Sequence, residues 1–415
     1  MSNVRKGPAR LGAVLVVGSV LLTACSSNPK VTAVPVATNN LTGTPIKIGN
    51  VADLTGVIPG LFKGAREAVE AYVAKVNAEG GIGGHPVELV TADSKITCNG
   101  AVAAYEKVLP QVVAMVGSLS GLDGCVGTVI AKYPKIPNVF QILDPRLSGI
   151  PNTFAPSPRP LGQSIGPYRY ISDKHPGAVQ KLGFIVNEQT AFSSTQLLSG
   201  LKTIGGAVAY TRTTNVTKQT DYTADIIKMR SSGVKWLSLD GLDITTIGRV
   251  LAAAKQQNWR PEVITSAPAY DGHFFKVADP AAAEGVLLPL GTALFLGEDR
   301  ATSKGVDDYL TWLDKVHPGS KGDLFGINAW AAAKLYFDAA IKVGPTLGPE
   351  YVMAAVGQVE KYDANGAIAE ASPGKRTPAV CWVVAEIHNG AYRRVEPTDK
   401  GFSCAGAEFV PLKLG

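Results

Sequence analysis

Residues 46–93 read IKIGNVADLTGVIPGLFKGAREAVEAYVAKVNAEGGIGGHPVELVTAD, and the reading of this stretch decides the fold. Ile46 and Ile48 stand two apart, as in a strand. Phe62, Ala65, Val69, Tyr72, Val73 and Val76 recur at three- and four-residue intervals, as on one face of a helix. Gly80, Gly81, Gly83 and Gly84 end that helix, because glycine enters the left-handed region without strain, and Pro86 blocks its continuation. The stretch is therefore predicted to form a β-α-β unit. Its loop, residues 52–61, falls at the carboxyl end of the first strand, the edge at which open α/β sheets bind ligands.

The same rhythm runs downstream: a helix over 99–109, a strand over 112–117, a loop over 118–124, a helix to 133 and a strand over 138–143. Short apolar runs separated by helices predict a parallel sheet covered on both faces. The sequence APSPRPLG at 155–162 interrupts the pattern and is read as a first crossing between two halves. A second α/β series follows, with strands over 181–186, 207–211, 235–239, 262–265 and 285–289 and helices over 194–204, 223–231 and 244–258. Residues 290–297 return the chain to the first half, where helices are predicted over 303–316, 324–343 and 350–359. In the tail, strand-like runs at 379–384 and 391–395 flank His388, Asn389 and Gly390; an Asn-Gly pair between such runs predicts a hairpin, placed on the second half.

Ahead of the folded body, Arg5, Lys6 and Arg10 precede an apolar run over 11–22 and the residues Leu22-Thr23-Ala24-Cys25. Residues 1–24 read as a signal peptide whose end looks like a bacterial lipobox, with Cys25 lipidated; a plain secretory signal with an incidental cysteine is the alternative. Residues 25–44, without apolar periodicity, read as a flexible tether. The remainder is long enough for two domains with full cores, and 46% hydrophobic with 18% charged residues describes a globular chain. A formal charge of +6, of which the leader supplies three, carries no basic run and no interleaved aromatics, so no nucleic-acid partner is expected. The remaining Cys98, Cys125, Cys381 and Cys404 allow three disulfide pairings. Cys98–Cys125 and Cys381–Cys404 are expected, since each closes a short loop and a crossed pairing would join halves that have to move; free buried thiols are the alternative.

Chemistry finds little footing. His85, His175, His273, His317 and His388 show no metal-ligand spacing, so no metal is expected. Gly117-Ser118-Leu119-Ser120-Gly121 puts Leu119 where a nucleophile elbow needs serine and lacks the lysine of a phosphate loop. No GxGxxG opens a helix after a strand, and neither an enzyme nor a cofactor is expected.

Thr55-Gly56, the run 62–66 (FKGAR), the turn 77–84 (NAEGGIGG), Cys98, Asp221-Tyr222 and the run 283–286 (AEGV) together resemble the type I periplasmic solute-binding proteins of the branched-chain amino acid group, over about residues 45–395. The resemblance implies an α/β, two-lobed fold: each lobe a mainly parallel sheet flanked by helices, with three crossings between them. Lobe 1 would comprise 45–160 with 292–374, and lobe 2 residues 161–291 with 375–415. It also implies a receptor that closes over a small-molecule solute and hands it to an ABC permease; with the leader and the lipobox, an extracytoplasmic protein held at the cell membrane by its lipid is expected. A sensor signalling through another partner is the alternative.

Candidate ligand residues sit at predicted strand ends. Ser118, Leu119, Ser120 and Gly121 come first, because hydroxyls and free amides there can receive a carboxylate or carbonyl. Leu143 and Asp144 follow, Asp144 being equally suited to cap a turn. In the second half, Gln189 and Phe192 match the place where the family sets an aromatic against the ligand. Asp240, Leu242 and Tyr270 follow other strands, Asp243 reads as a helix cap, and Phe325 opens a helix that faces the cleft in the family. The amino-acid binders hold their ligand's ammonium with an acid near the position of residues 266–270. This sequence has none there before Asp271, and its first loop is shorter. Burying an ammonium without a counter-charge costs several kcal/mol. Unless Asp240 or Asp271 substitutes, a less polar organic solute or a non-amino acid is expected.

Overall fold

A computed structural model describes residues 31–32, 41–188, 190–346 and 348–412. The leader, Cys25, most of the tether and Gln189 lie outside the described residues.

The elements β1 (Val31–Thr32), β2 (Ile46–Ala52), α1 (Lys63–Ala78), β3 (Val87–Asp93), α2 (Cys98–Val108), β4 (Met115–Val116), α3 (Gly127–Ala131), β5 (Asn138–Val139) and β6 (Thr153–Phe154) build a first body. Its six-stranded sheet runs β1-β3-β2-β4-β5-β6, parallel throughout except at β1. β2 is central, and both its faces are buried from Ile48 onward. The turn after α1 has a specific mechanism. Gly81, at φ 66°, donates its N–H to the Val76 carbonyl, and a Cβ there would collide with the His85 carbonyl. Buried Asn77 then exchanges two hydrogen bonds with the Val87 backbone, at 2.9 and 2.7 Å, fixing where β3 starts.

The chain next forms β7 (Gly162–Ser164), α4 (Gly166–Lys174), β8 (Leu182–Asn187), α5 (Ala191–Lys202), β9 (Val208–Thr214), α6 (Thr223–Ser231), β10 (Trp236–Leu239), α7 (Ile244–Gln256), β11 (Glu262–Thr265), the short α8 (Phe274–Val277) and α9 (Pro280–Ala283), and β12 (Leu287–Leu290). It returns to the first body as α10 (Lys304–Val316), α11 (Leu324–Val343) and α12 (Pro349–Val356). It finishes with β13 (Val383–His388), β14 (Ala391–Glu396) and β15 (Phe409–Pro411). The second sheet is ordered β14-β13-β12-β11-β10-β8-β9, with β13 and β14 antiparallel. The hairpin turns at Asn389 and Gly390, at φ 52° and 72°, the left-handed pair its tight turn demands. The result is a mixed α/β molecule with a mainly parallel sheet in each of two bodies. In the first body α11 packs along α1, with the Tyr72 ring stacked on Phe337 at 5.5 Å and edge-on to Trp330 at 4.5 Å.

Between the bodies the chain passes three times, and the passages are tied together. Ala379 donates its N–H to Ser157 Oγ, and Ser164 Oγ donates to the Ala379 carbonyl. Ala293 and Ala369 bond to the carbonyls of Ala367 and Gly291. Cys98 is bonded to Cys125 within the first body, and Cys381 to Cys404, the third passage to the tail.

Three local expectations need correction. The strands read at 112–117 and 138–143 contract to Met115–Val116 and Asn138–Val139; Gly117, at φ 58°, turns the chain out of the sheet. The hairpin's first strand lies at Val383–His388 instead of 379–384, because Trp382 is paired to Ser403 of the tail and Ala379 to Ser157. Helix α4 was not foreseen.

Candidate functional site

A cavity of about 1590 Å³ opens between the carboxyl ends of the two sheets. Loops after β2, β4 and β5 wall it from one side and loops after β8, β10 and β11 from the other; the first passage and the start of α11 close it. Parallel strands deliver all their carboxyl-end loops to one edge, so two such sheets facing each other make a cleft. Phe62 and Phe325 meet edge-on there at 4.6 Å, beside Leu122, Leu143, Phe192 and Leu242, so that much of the wall is carbon.

Of the residues expected at the site, Gly121, Leu143, Asp144, Phe192, Asp240, Leu242 and Phe325 line this cavity. Ser118, Leu119, Ser120 and Tyr270 do not. Ser118 is buried, and its Oγ accepts from Val51 N at 3.0 Å. Leu119 is bridged to Ala52, with its side chain in the core. The Ser120 hydroxyl donates to Asp53, whose fully buried carboxylate also accepts from Ile96 N at 3.0 Å, Gly121 N at 2.8 Å and the Ser94 hydroxyl. Of the donors expected to greet a ligand, the Ser120 hydroxyl and the Gly121 amide are thus spent on an internal carboxylate. Tyr270 is carried under the sheet by the 3-10 turn Ala267–Ala269. Its ring packs edge-on to Phe295 and Tyr392 at 4.8 and 4.7 Å, and its hydroxyl donates to Glu298, so it is a core residue.

The cavity's other carboxylates are also engaged. Asp123 accepts from Leu143 N at 2.7 Å and Asp144 N at 3.0 Å; burial pushes its carboxyl up to about 6, against the pull of those amides and of Arg159. Asp144 caps the turn Pro145–Gly149, and its hydrogen bonds with the Arg146 guanidinium hold it below the usual carboxylate range. Asp240 accepts from the Ser193 hydroxyl at 2.9 Å with Ser266 alongside, and burial raises it. Asp243 caps α7 through Thr245 N and Thr246 N, each at 3.0 Å. Asp323 caps α11 through Gly326 N; burial, then the charges of Asp271 and Glu67, push it up to about 7. Among the described residues no group of acids, histidines and cysteines could hold a metal ion.

Among the wall residues that the sequence reading did not name, two matter most. Tyr168 comes from α4. Arg159 lies in the first passage, and its guanidinium makes no ion pair or hydrogen bond to the described residues. The visible signal for it was a single cation between Pro158 and Pro160, in a segment otherwise free of charge.

A profile of the family described as periplasmic binding protein matches residues 45–391. The chain belongs to that family. It is a solute-binding protein of the type I periplasmic fold, not an enzyme, and membership implies a place outside the cytoplasm. Solved structures agree on the fold. A fatty acid ABC transporter substrate-binding protein from Thermomonospora curvata is 19% identical, covering 90% of this chain and 96% of its own, with TM-score 0.70. The leucine binding protein LivK from Thermotoga maritima is 15% identical, covering 86% and 100%, with TM-score 0.67. The branched-chain amino acid transporter substrate binding protein LivJ from Streptococcus pneumoniae, in complex with isoleucine, is 16% identical, covering 86% and 100%, with TM-score 0.67. No curated protein sequence matches significantly. Among the described residues no helix is long and apolar enough to cross a membrane.

Proposed function

We propose that this chain is the lipid-anchored receptor of an ABC importer, binding a small organic solute between a lobe of residues 45–160 with 292–374 and a lobe of 161–291 with 375–415. The observation that carries the reading is the cavity itself: it is walled from both bodies, and among the described residues three passages join them. At about 1590 Å³ it exceeds the 300–1,000 Å³ typical of closed ligand sites, as an unclosed cleft would. The named ligands of the structural relatives span a fatty acid transporter and an isoleucine complex, so the fold accommodates both organic acids and amino acids. Within this cleft we assign contact with the solute to Gly121, Leu143, Phe192, Asp240, Leu242 and Phe325. Gln189 keeps its assignment from sequence alone.

The test is closure on binding. Small-angle scattering of the full chain should show a smaller radius of gyration with a solute that raises its melting temperature, and cells producing Cys25→Ser should release the protein from their membrane fraction. A bound solute that leaves the scattering unchanged would count against the hinged receptor; membrane retention of the Cys25→Ser protein would count against the anchor.

A further inference from the structure

The cleft's charges are unevenly satisfied. Every carboxylate described above has protein donors of its own, whereas the half-buried Arg159 guanidinium, with five N–H groups, has no ion-pair or hydrogen-bond partner among the described residues. It projects from the first passage into the field of Asp123 on the first body and of Asp240 on the second. Closure strips water from this position, and an unpaired guanidinium in a desolvated cleft is strongly unfavourable, so an acceptor has to arrive. Asp123 is occupied by two backbone amides and Asp240 by the hydroxyls of Ser193 and Ser266. The serine loop after β4 cannot serve a ligand carboxylate with its hydroxyls, since Ser118 and Ser120 are turned inward to Val51 and Asp53.

We propose that Arg159 is the anion anchor of the cleft, and that the solute is a monocarboxylate with an apolar body and no ammonium group. This rests on the receptor reading and deepens it. The guanidinium's planar fork matches a carboxylate with two parallel hydrogen bonds, while Phe62, Phe192, Leu242 and Phe325 offer the rest of the solute a carbon surface. The acids flanking Arg159 are both raised by burial, which lowers their negative charge beside an incoming carboxylate. An ammonium at Asp240 would share that carboxyl with the hydroxyls of Ser193 and Ser266 and would be opposed by the Arg159 guanidinium nearby.

The experiment uses the full chain in detergent with octanoate, 3-phenylpropionate and benzoate, the primary amide of each, L-leucine and L-phenylalanine, read by thermal shift and calorimetry. At least one acid is expected to bind, its amide to bind about 30-fold or more weakly, and L-phenylalanine to bind no better than the amide. Arg159→Gln should lose a comparable factor for the acid while leaving the amide unchanged, and its unliganded melting temperature should stay within a degree or so of the parent, since no hydrogen bond or ion pair among the described residues is removed. Arg159→Lys should recover part of the loss. An amide or an amino acid that binds tighter than every acid overturns the anchor but leaves the receptor reading standing. So does an Arg159→Gln loss shared equally by acid and amide, which would mean that Arg159 pairs with Asp123 or Asp240 on closure. A chain that responds to none of the panel overturns both.

Discussion

Asp53 shows how one buried side chain can redefine a binding loop. Hydroxyls and glycines at a strand end are visible in a sequence, but not which way they turn, and here a carboxylate 67 residues before Ser120 collects them. Nothing local marks Ser120 as already engaged: its partner is distant in the chain and becomes a neighbour only once β2 and β4 lie side by side. Asp53→Ala should leave four donors without an acceptor. With each buried orphan costing about 1–3 kcal/mol and some relieved by water from the cleft, a loss of about 3 kcal/mol is expected in urea unfolding. Tyr270 gives the complementary case. Tyr270→Phe should cost about 1–2 kcal/mol, because Glu298 and Leu296 N lose their partner, while solute affinity stays unchanged. A change in affinity comparable to that of Arg159→Gln would return Tyr270 to the site.

At the scale of elements, what was legible follows from the length of the repeating signal. Helix α11 keeps its apolar pattern for twenty residues, and its bounds agree with the expected 324–343. Helix α1 ends at glycines whose positive φ angles only glycine adopts easily, so the turn after it was readable from residue type. The strands β4 and β5 have two residues each and are set by the loops around them, beyond the reach of periodicity. Helix α4 is nine residues long with Pro167 in its first turn, too short to announce itself after a proline-rich passage, and Tyr168 was missed with it. Gly81→Ala probes the best-read of these devices. The left-handed backbone and the clash with the His85 carbonyl should together cost about 2–3 kcal/mol, and amide exchange should accelerate first at the start of β3, where Asn77 holds Val87. Uniform acceleration across the first body would instead place the strain elsewhere.

For the whole molecule, the acids of the cleft couple stability to pH. Asp323 and Glu67 stand on the first body and Asp271 on the second, so like charges face one another across the gap. Burial raises Asp123 to about 6 and Asp323 to about 7, both above the value near 4 of an unfolded aspartate. Between about pH 4 and 7 the folded chain therefore binds more protons than the unfolded one, and these two groups make stability fall as pH rises through that window. Asp93 and Asp144 act oppositely, since hydrogen bonds in the folded state lower them; their contribution is present above about pH 4 and disappears on further acidification. The melting temperature should accordingly peak near pH 4 and decline toward pH 8. Asp323→Asn isolates the declining limb, because asparagine is as good a helix cap as aspartate and can still accept from Gly326 N. The variant should match the parent below about pH 4, where both states are protonated, and exceed it by a margin that grows to about 2 kcal/mol at pH 8, allowing for solvent in the open cleft. In the proposed hinged receptor closure would bring Asp271 toward Asp323, so affinity should fall between pH 6 and 8 in the parent and fall less in the variant. Calorimetric melts and titrations at the two ends of that range decide it: a stability difference independent of pH would mean that Asp323 keeps its charge at pH 5 and does not oppose closure.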